Sequence, residues 1–209
     1  MFHSLAAGEE LPANSKDLRT VLSNLEHLET YAARKEYAEK NLSHLSSGSS
    51  RLTYLTDNKT VIKLAKNERG EAQNAAEVKA SSTFDSKYLN KVLSSSKNHV
   101  WIEVPFVEKI TEKDFKDMVG IDFEDFGEAL RFSLKKISGN TDKKKPRGYD
   151  EVSQSDLFKE MNKIGKALDL MPGDLARISS WGHKGDVPVL IDSGLTLTVF
   201  NDFYEDSSS

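Results

Sequence analysis

The hydrophobic period changes near residue 50, and that change constrains the fold more than any other feature of the chain. Before it, NSKDLRTVLSNLEHLETYAARKEYAEK places Leu18, Val21, Leu22, Leu25 and Leu28 on one stripe at helical spacing. The segment reads as an amphipathic helix capped by Asn14 or Ser15, its apolar face laid on the main body or offered to a partner. After it, RLTYL and TVIKLA are short strand-like runs joined by TDNK, whose Asp57 and Asn58 suit a tight turn. KYLNKVL and HVWIEVPFVEKI read as two more strands, and Pro105 should end pairing or sit on an edge because it cannot donate to a ladder. Helical spacing then returns in TEKDFKDMV, with Thr111 as its cap, in DFEDFGEALRFSLKKI, and in SQSDLFKEMNKIGKALDL, where Leu157, Met161, Ile164 and Leu168 share a face. This order predicts an α+β fold: a small antiparallel sheet, a helical part, and an extra helix at the front.

At 209 residues the chain is long enough to bury a real core within one domain. The expected organisation is a helix extension over 1–42, a strand-rich part over 43–110, a helical part over 111–200 and an acidic tail over 201–209. A net charge of -4 lacks the basic footprint of a nucleic-acid binder, so no specific nucleic acid is expected as partner. Without cysteine, neither a disulfide framework nor a thiolate metal site is available. MFHSLAAGEELPANSK makes a poor signal peptide, and no apolar run approaches membrane-spanning length. A cytoplasmic protein is therefore expected. The cation-rich SGNTDKKKPRGYD reads as a solvated loop rather than a phosphate site.

Four charged residues carry the functional question. Val61, Lys63 and Ala65 alternate with Ile62 and Leu64, so both faces of that strand are mostly apolar and both should be covered. A lysine buried there needs a partner, whereas on a half-exposed strand it would need none. Gly70 should break the chain before a helix over EAQNAAEVKASS, on which Glu77 shares a face with Gln73, Asn74 and Ala80. Glu77 could reach the sheet from that face, or simply be solvated. Further on, Asp174 follows Gly173 in a turn context, and VPVLID ends in Asp192 directly before Ser193 and Gly194. A turn-forming role explains either aspartate alone. Together they also suit a magnesium–phosphate site, because magnesium favours hard carboxylate oxygens.

In their order, these motifs resemble the protein-kinase-like fold, in particular the aminoglycoside-kinase-like branch and the small kinase-like proteins of tailed bacteriophages. The resemblance covers roughly residues 43–197 and implies a minimal bilobal kinase architecture. TVIK is similar to the family's V-A-I-K, which makes Val61 an adenine-side residue, Lys63 a phosphate contact and Glu77 its helix partner. WIEVPFVEKI is similar to the adenine-binding strand and hinge, from Glu103 to Glu108. GDL at 173–175 resembles the catalytic loop, with Asp174 as base, and VLIDSG resembles D-F-G, with Asp192 on magnesium. The implied cofactors are ATP and Mg2+. The implied activity is phosphoryl transfer, or protein binding by an inactive pseudokinase. Host or phage protein partners would dock through the N-terminal helix, and the location would be the host cytoplasm.

Departures from the pattern limit what the resemblance implies. Gly48 alone stands where the nucleotide-covering loop has several glycines, so SSGSSR would cover phosphates with serine groups. Pro172 replaces the usual histidine. Ser180, placed by the following Trp181 and Gly182, stands for the asparagine that holds the second metal. Only 15 residues follow Gly194, which leaves no helical subdomain to hold a peptide as eukaryotic protein kinases do.

Overall fold

The apolar stripe at the front of the chain packs on its own sheet. A computed structural model describes residues 17–204, so the Asn14 or Ser15 cap lies outside the described residues. The expected single helix is two, α1 (Leu18–His27) and α2 (Tyr31–Asn41). The break falls where Leu28 turns extended and Thr30 starts a new helix, its hydroxyl accepting the Ala33 N–H at 3.2 Å. Val21, Leu22, Leu25 and Ala38 bury themselves against Leu52, Tyr54, Ile62, Leu64 and Trp101. That contact occupies the face on which partner docking by this helix depends.

The main sheet has five antiparallel strands in the order β1-β2-β3-β5-β4: β1 (Ser43–Ser47), β2 (Arg51–Leu55), β3 (Thr60–Ala65), β4 (Ser94–Ser95) and β5 (Trp101–Pro105). In β3, Ile62 and Leu64 face α1 and α2, while Val61 packs with Ile102 and Val104 beneath α3 (Glu68–Thr83). Both faces are covered, so Lys63 is 7% exposed. The helix α3 starts before Gly70 rather than after it, with Asn67 as cap. The glycine is needed for close approach: a Cβ there would lie 2.3 Å from the Ser50 carbonyl oxygen.

Two strand expectations change. KYLNKVL is no strand. Its backbone bonds first to Leu190, through Leu190 N–H to Tyr88 and Asn90 N–H to Leu190, and then to Glu103, so it serves two elements in succession. HVWIEVPFVEKI divides after Pro105, and β6 (Glu108–Lys109) joins a second antiparallel sheet with β7 (Trp181–Lys184) and β8 (Val187–Leu190). Proline supplies the reason, since its missing N–H ends the ladder.

The helical part comprises α4 (Glu112–Val119), α5 (Phe123–Ser133), α6 (Tyr149–Val152), α7 (Asp156–Leu168), α8 (Pro172–Leu175) and α9 (Leu197–Tyr204). Thr111 and Asp114 form a reciprocal capping box on α4. Phe115 and Phe126 sit edge-on to Trp181, at centroid separations of 6.2 and 5.7 Å, in a core completed by Leu130, Met161 and Ile164. Residues 201–204, expected in the tail, belong to α9. The chain is therefore α+β, and among the described residues no helix is long and apolar enough to cross a membrane.

Candidate functional site

The site starts from the pleat of β2 and β3. Thr53 pairs with Lys63, so Arg51, two residues earlier on β2, projects to the same face as that lysine. Opposite them α3 turns its Gln73, Asn74 and Glu77 face inward, and all three are buried. Lys63 Nζ donates to Glu77 Oε2 at 2.6 Å, and Arg51 Nη1 donates to Glu77 Oε1 at 2.6 Å. One carboxylate thus holds two cations, each with only 9% of its side chain exposed. Asn74 fixes the helix in place: its Nδ2 donates to the carbonyls of Lys63 and His99, and its Oδ1 accepts from Arg51 at 3.2 Å.

The segment after β8 meets this cluster from the helical side. Lys63 Nζ donates to the Ile191 carbonyl at 2.5 Å, and Arg51 Nη2 donates to Asp192 Oδ1 at 2.7 Å. Gly194 lets the segment approach α3, since a Cβ there would lie 2.9 Å from the Gln73 carbonyl oxygen. Desolvation pushes the Asp192 carboxyl up, but the Arg51 charge and then Lys63 outweigh it and hold the group below the usual carboxylate range. Desolvation also opposes the Arg51 charge, yet Glu77 and Asp192 raise its pKa further, so the guanidinium stays charged. Asp174, on α8, behaves in the opposite way: desolvation raises its pKa, Arg177 at 3.2 Å lowers it, and Asp192 raises it again.

These groups line a cleft of about 670 Å³, within the size range of small-molecule sites. Gly48, Lys63, Asp174 and Asp192 all line it, so the structure brings together four residues singled out in the sequence. Gly48 turns the β1–β2 connection, its N–H donating to the Arg51 carbonyl at 2.9 Å, and Lys66 Nζ steadies it by donating to the Gly48 carbonyl at 2.6 Å. Phe200 and Tyr204 of α9 form a side wall. Gln73 Nε2 donates to the Tyr204 hydroxyl at 3.1 Å, and the Arg69 guanidinium lies 4.7 Å from that ring's centre.

Other expected site residues fall elsewhere. Val61 packs into the apolar layer under α3 and does not line the cleft. Glu103 pairs with Ile62 and so shares its face, away from Lys63, where its carboxylate accepts from Thr60 and Ser94 hydroxyls. Glu108 is exposed on β6, 3.5 Å from His183. Ser180 is 5% exposed and ends a 3-10 turn whose backbone binds Arg177 and Ile191, while its neighbour Ser179 lines the cleft. Arg51 and Tyr204 have no place in the sequence reading, and Asn74 enters it only as a face-mate of Glu77. For Arg51 the signal was present, since period-2 alternation puts it on the lysine's face.

Magnesium can be tested against this donor set. It would need Asp192, and one of that residue's oxygens already accepts from Arg51. No cluster of three or more acidic or histidine side chains suited to a metal ion occurs among the described residues. In this arrangement the cation beside Asp192 is an arginine, which engages one of the two carboxylate oxygens. In sequence, the chain matches no protein-family model and no curated protein.

Proposed function

We propose that the protein is a kinase-like, nucleotide-binding protein that takes ATP in this cleft. The observation that carries the reading is the buried Lys63–Glu77 pair, 2.6 Å apart, at the back of a cleft whose opposite wall presents Asp174 and Asp192. A strand lysine held by a helix carboxylate keeps a fixed ammonium at hand for phosphate oxygens. Two strands, a helix and the segment after β8 converge on it, which gives the rigid positioning that phosphoryl transfer depends on. The bilobal kinase architecture is part of the same proposal, with the sheet as one lobe and α4 to α9 as the other.

The finer proposal is phosphotransferase activity of low or specialised character. Asp174 would take the proton of the acceptor hydroxyl, and its raised pKa makes it a better base than an ordinary aspartate. A second reading, an inactive pseudokinase, is favoured by the Arg51–Asp192 ion pair, which engages one oxygen of the carboxylate the family gives to magnesium. Thermal melting with ATP tests the shared core of both readings, since a ligand that binds the folded state must raise the melting temperature. ATP should stabilise the wild-type chain and leave Lys63→Met unmoved. No shift at millimolar ATP would refute nucleotide binding. Transfer of labelled phosphate to a generic protein acceptor, abolished by Asp174→Asn, would favour the enzyme over the pseudokinase.

A further inference from the structure

Arg51 is the one buried cation of the cleft to which the kinase resemblance gives no role. It sits where β2 begins, 7% exposed, and touches both carboxylates that organise the back wall, Glu77 at 2.6 Å and Asp192 at 2.7 Å. Arg51 engages one oxygen of Asp192, so a divalent ion on the other would sit beside a guanidinium that is also bonded to Glu77 and Asn74. Swinging Arg51 away would strip Glu77 of one of its two cations inside the protein, where charge separation is unfavourable. The cleft also has no shortage of positive charge without a metal: Arg51, Lys63 and Arg177 line it against Asp174 and Asp192. The bonds to Glu77, Asn74 and Asp192 engage three of the five N–H donors of the guanidinium, and the other two suit phosphate oxygens.

We propose that Arg51 serves as the built-in cation of this site, neutralising Asp192 in place of a divalent ion, so that the chain binds nucleotide phosphates without magnesium. The inference rests on the nucleotide-binding reading and adds its cation requirement. The test is calorimetric titration of the full chain with ATP, in EDTA and in magnesium chloride. Wild-type affinity should agree within about twofold between the two conditions. Arg51→Gln should bind weakly in EDTA and at least about tenfold more tightly with magnesium, because Asp192 is then free for the ion. Asp192→Asn covers the case in which Arg51→Gln fails to fold, since it leaves Arg51 on Glu77 and Asn74. In EDTA it should bind ATP more tightly than wild type, having lost a negative charge from the cleft. A wild type about tenfold weaker in EDTA, or an Asp192→Asn variant that loses binding, would overturn the built-in cation while leaving nucleotide binding intact. No binding heat from wild type in either condition would overturn the nucleotide reading itself, and this inference with it.

Discussion

Glu77 should matter more to stability than either cation it holds, and the two single variants Glu77→Gln and Lys63→Met measure the difference. Glu77 is 4% exposed and, among the described residues, is the only carboxylate bonded to Lys63. Glutamine at 77 keeps the shape but removes the charge facing two buried cations. Arg51 keeps Asp192, whereas Lys63 keeps only the Ile191 carbonyl. Removing one partner of a buried pair costs about 3–5 kcal/mol, and that range applies here without discount because all three side chains are at least nine-tenths buried. Lys63→Met is milder. Glu77 retains Arg51 at 2.6 Å, so the loss is the hydrogen bonds to Glu77 and Ile191, about 1–3 kcal/mol. For a chain of this size the glutamine variant should melt about 6–20 °C lower. Urea unfolding of both variants and of Lys63→Met/Glu77→Gln supplies the coupling energy, and the double variant should be less destabilised than the sum of the singles. A Lys63→Met loss equal to or larger than that of Glu77→Gln would refute the view that one carboxylate holds both cations.

The two cleft aspartates should respond to pH with opposite sign. Asp174 has a raised folded pKa, so its ionised form weakens the fold: Asp174→Asn should melt higher than wild type near pH 7, and the gap should close below about pH 4, where the wild-type carboxyl is protonated in both states. Asp192 has a lowered pKa, so its contribution is present above the ordinary carboxylate range and is lost as pH falls through the depressed value. Asp192→Asn should melt lower near pH 7, with the deficit fading in acid. Ser180→Asn should destabilise by about 1–3 kcal/mol in denaturant melts because it overfills a buried site, whereas Ser179→Asn should be tolerated. Gly70→Ala should cost a similar amount, about 1–3 kcal/mol, since its Cβ would meet the Ser50 carbonyl at 2.3 Å; equal stability would mean that α3 shifts freely against β2.

Local chemistry made much of the fold legible. The stripe of Val21, Leu22 and Leu25, the hairpin of β2 and β3, the Thr111 cap and the Leu157–Leu168 face all follow from periodicity and side-chain capping, and each appears as an element of the structure. The elements that escaped notice lack a periodic signal. Every residue of β1 is exposed, so its SHLSS carries no apolar alternation, and it is a strand only because β2 offers it an edge. The strand β7 is four residues long and is set by pairing with β8 and β6. KYLNKVL has strand-like composition, yet its apolar residues separate, with Leu89 buried in the helical core and Leu93 54% exposed.

For the site, the dividing line is sequence distance. Lys63 and Glu77 stand 14 positions apart, close enough for a strand followed by a helix to imply their meeting. Arg51 and Asp192 stand 141 apart, and no local rule brings them together. Alternation places Arg51 on the lysine's face, and a buried arginine demands a carboxylate, but Glu77 alone would have satisfied that demand. The second bond exists because Gly194 admits the 191–194 segment against α3, and Lys63 holds the same segment through the Ile191 carbonyl. Two cations from neighbouring strands therefore fasten that segment to the sheet. Because Arg51 bonds both Glu77 and Asp192, the proposal turns on the cation dependence of ATP binding more than on its affinity, and that is the property of this site to measure first.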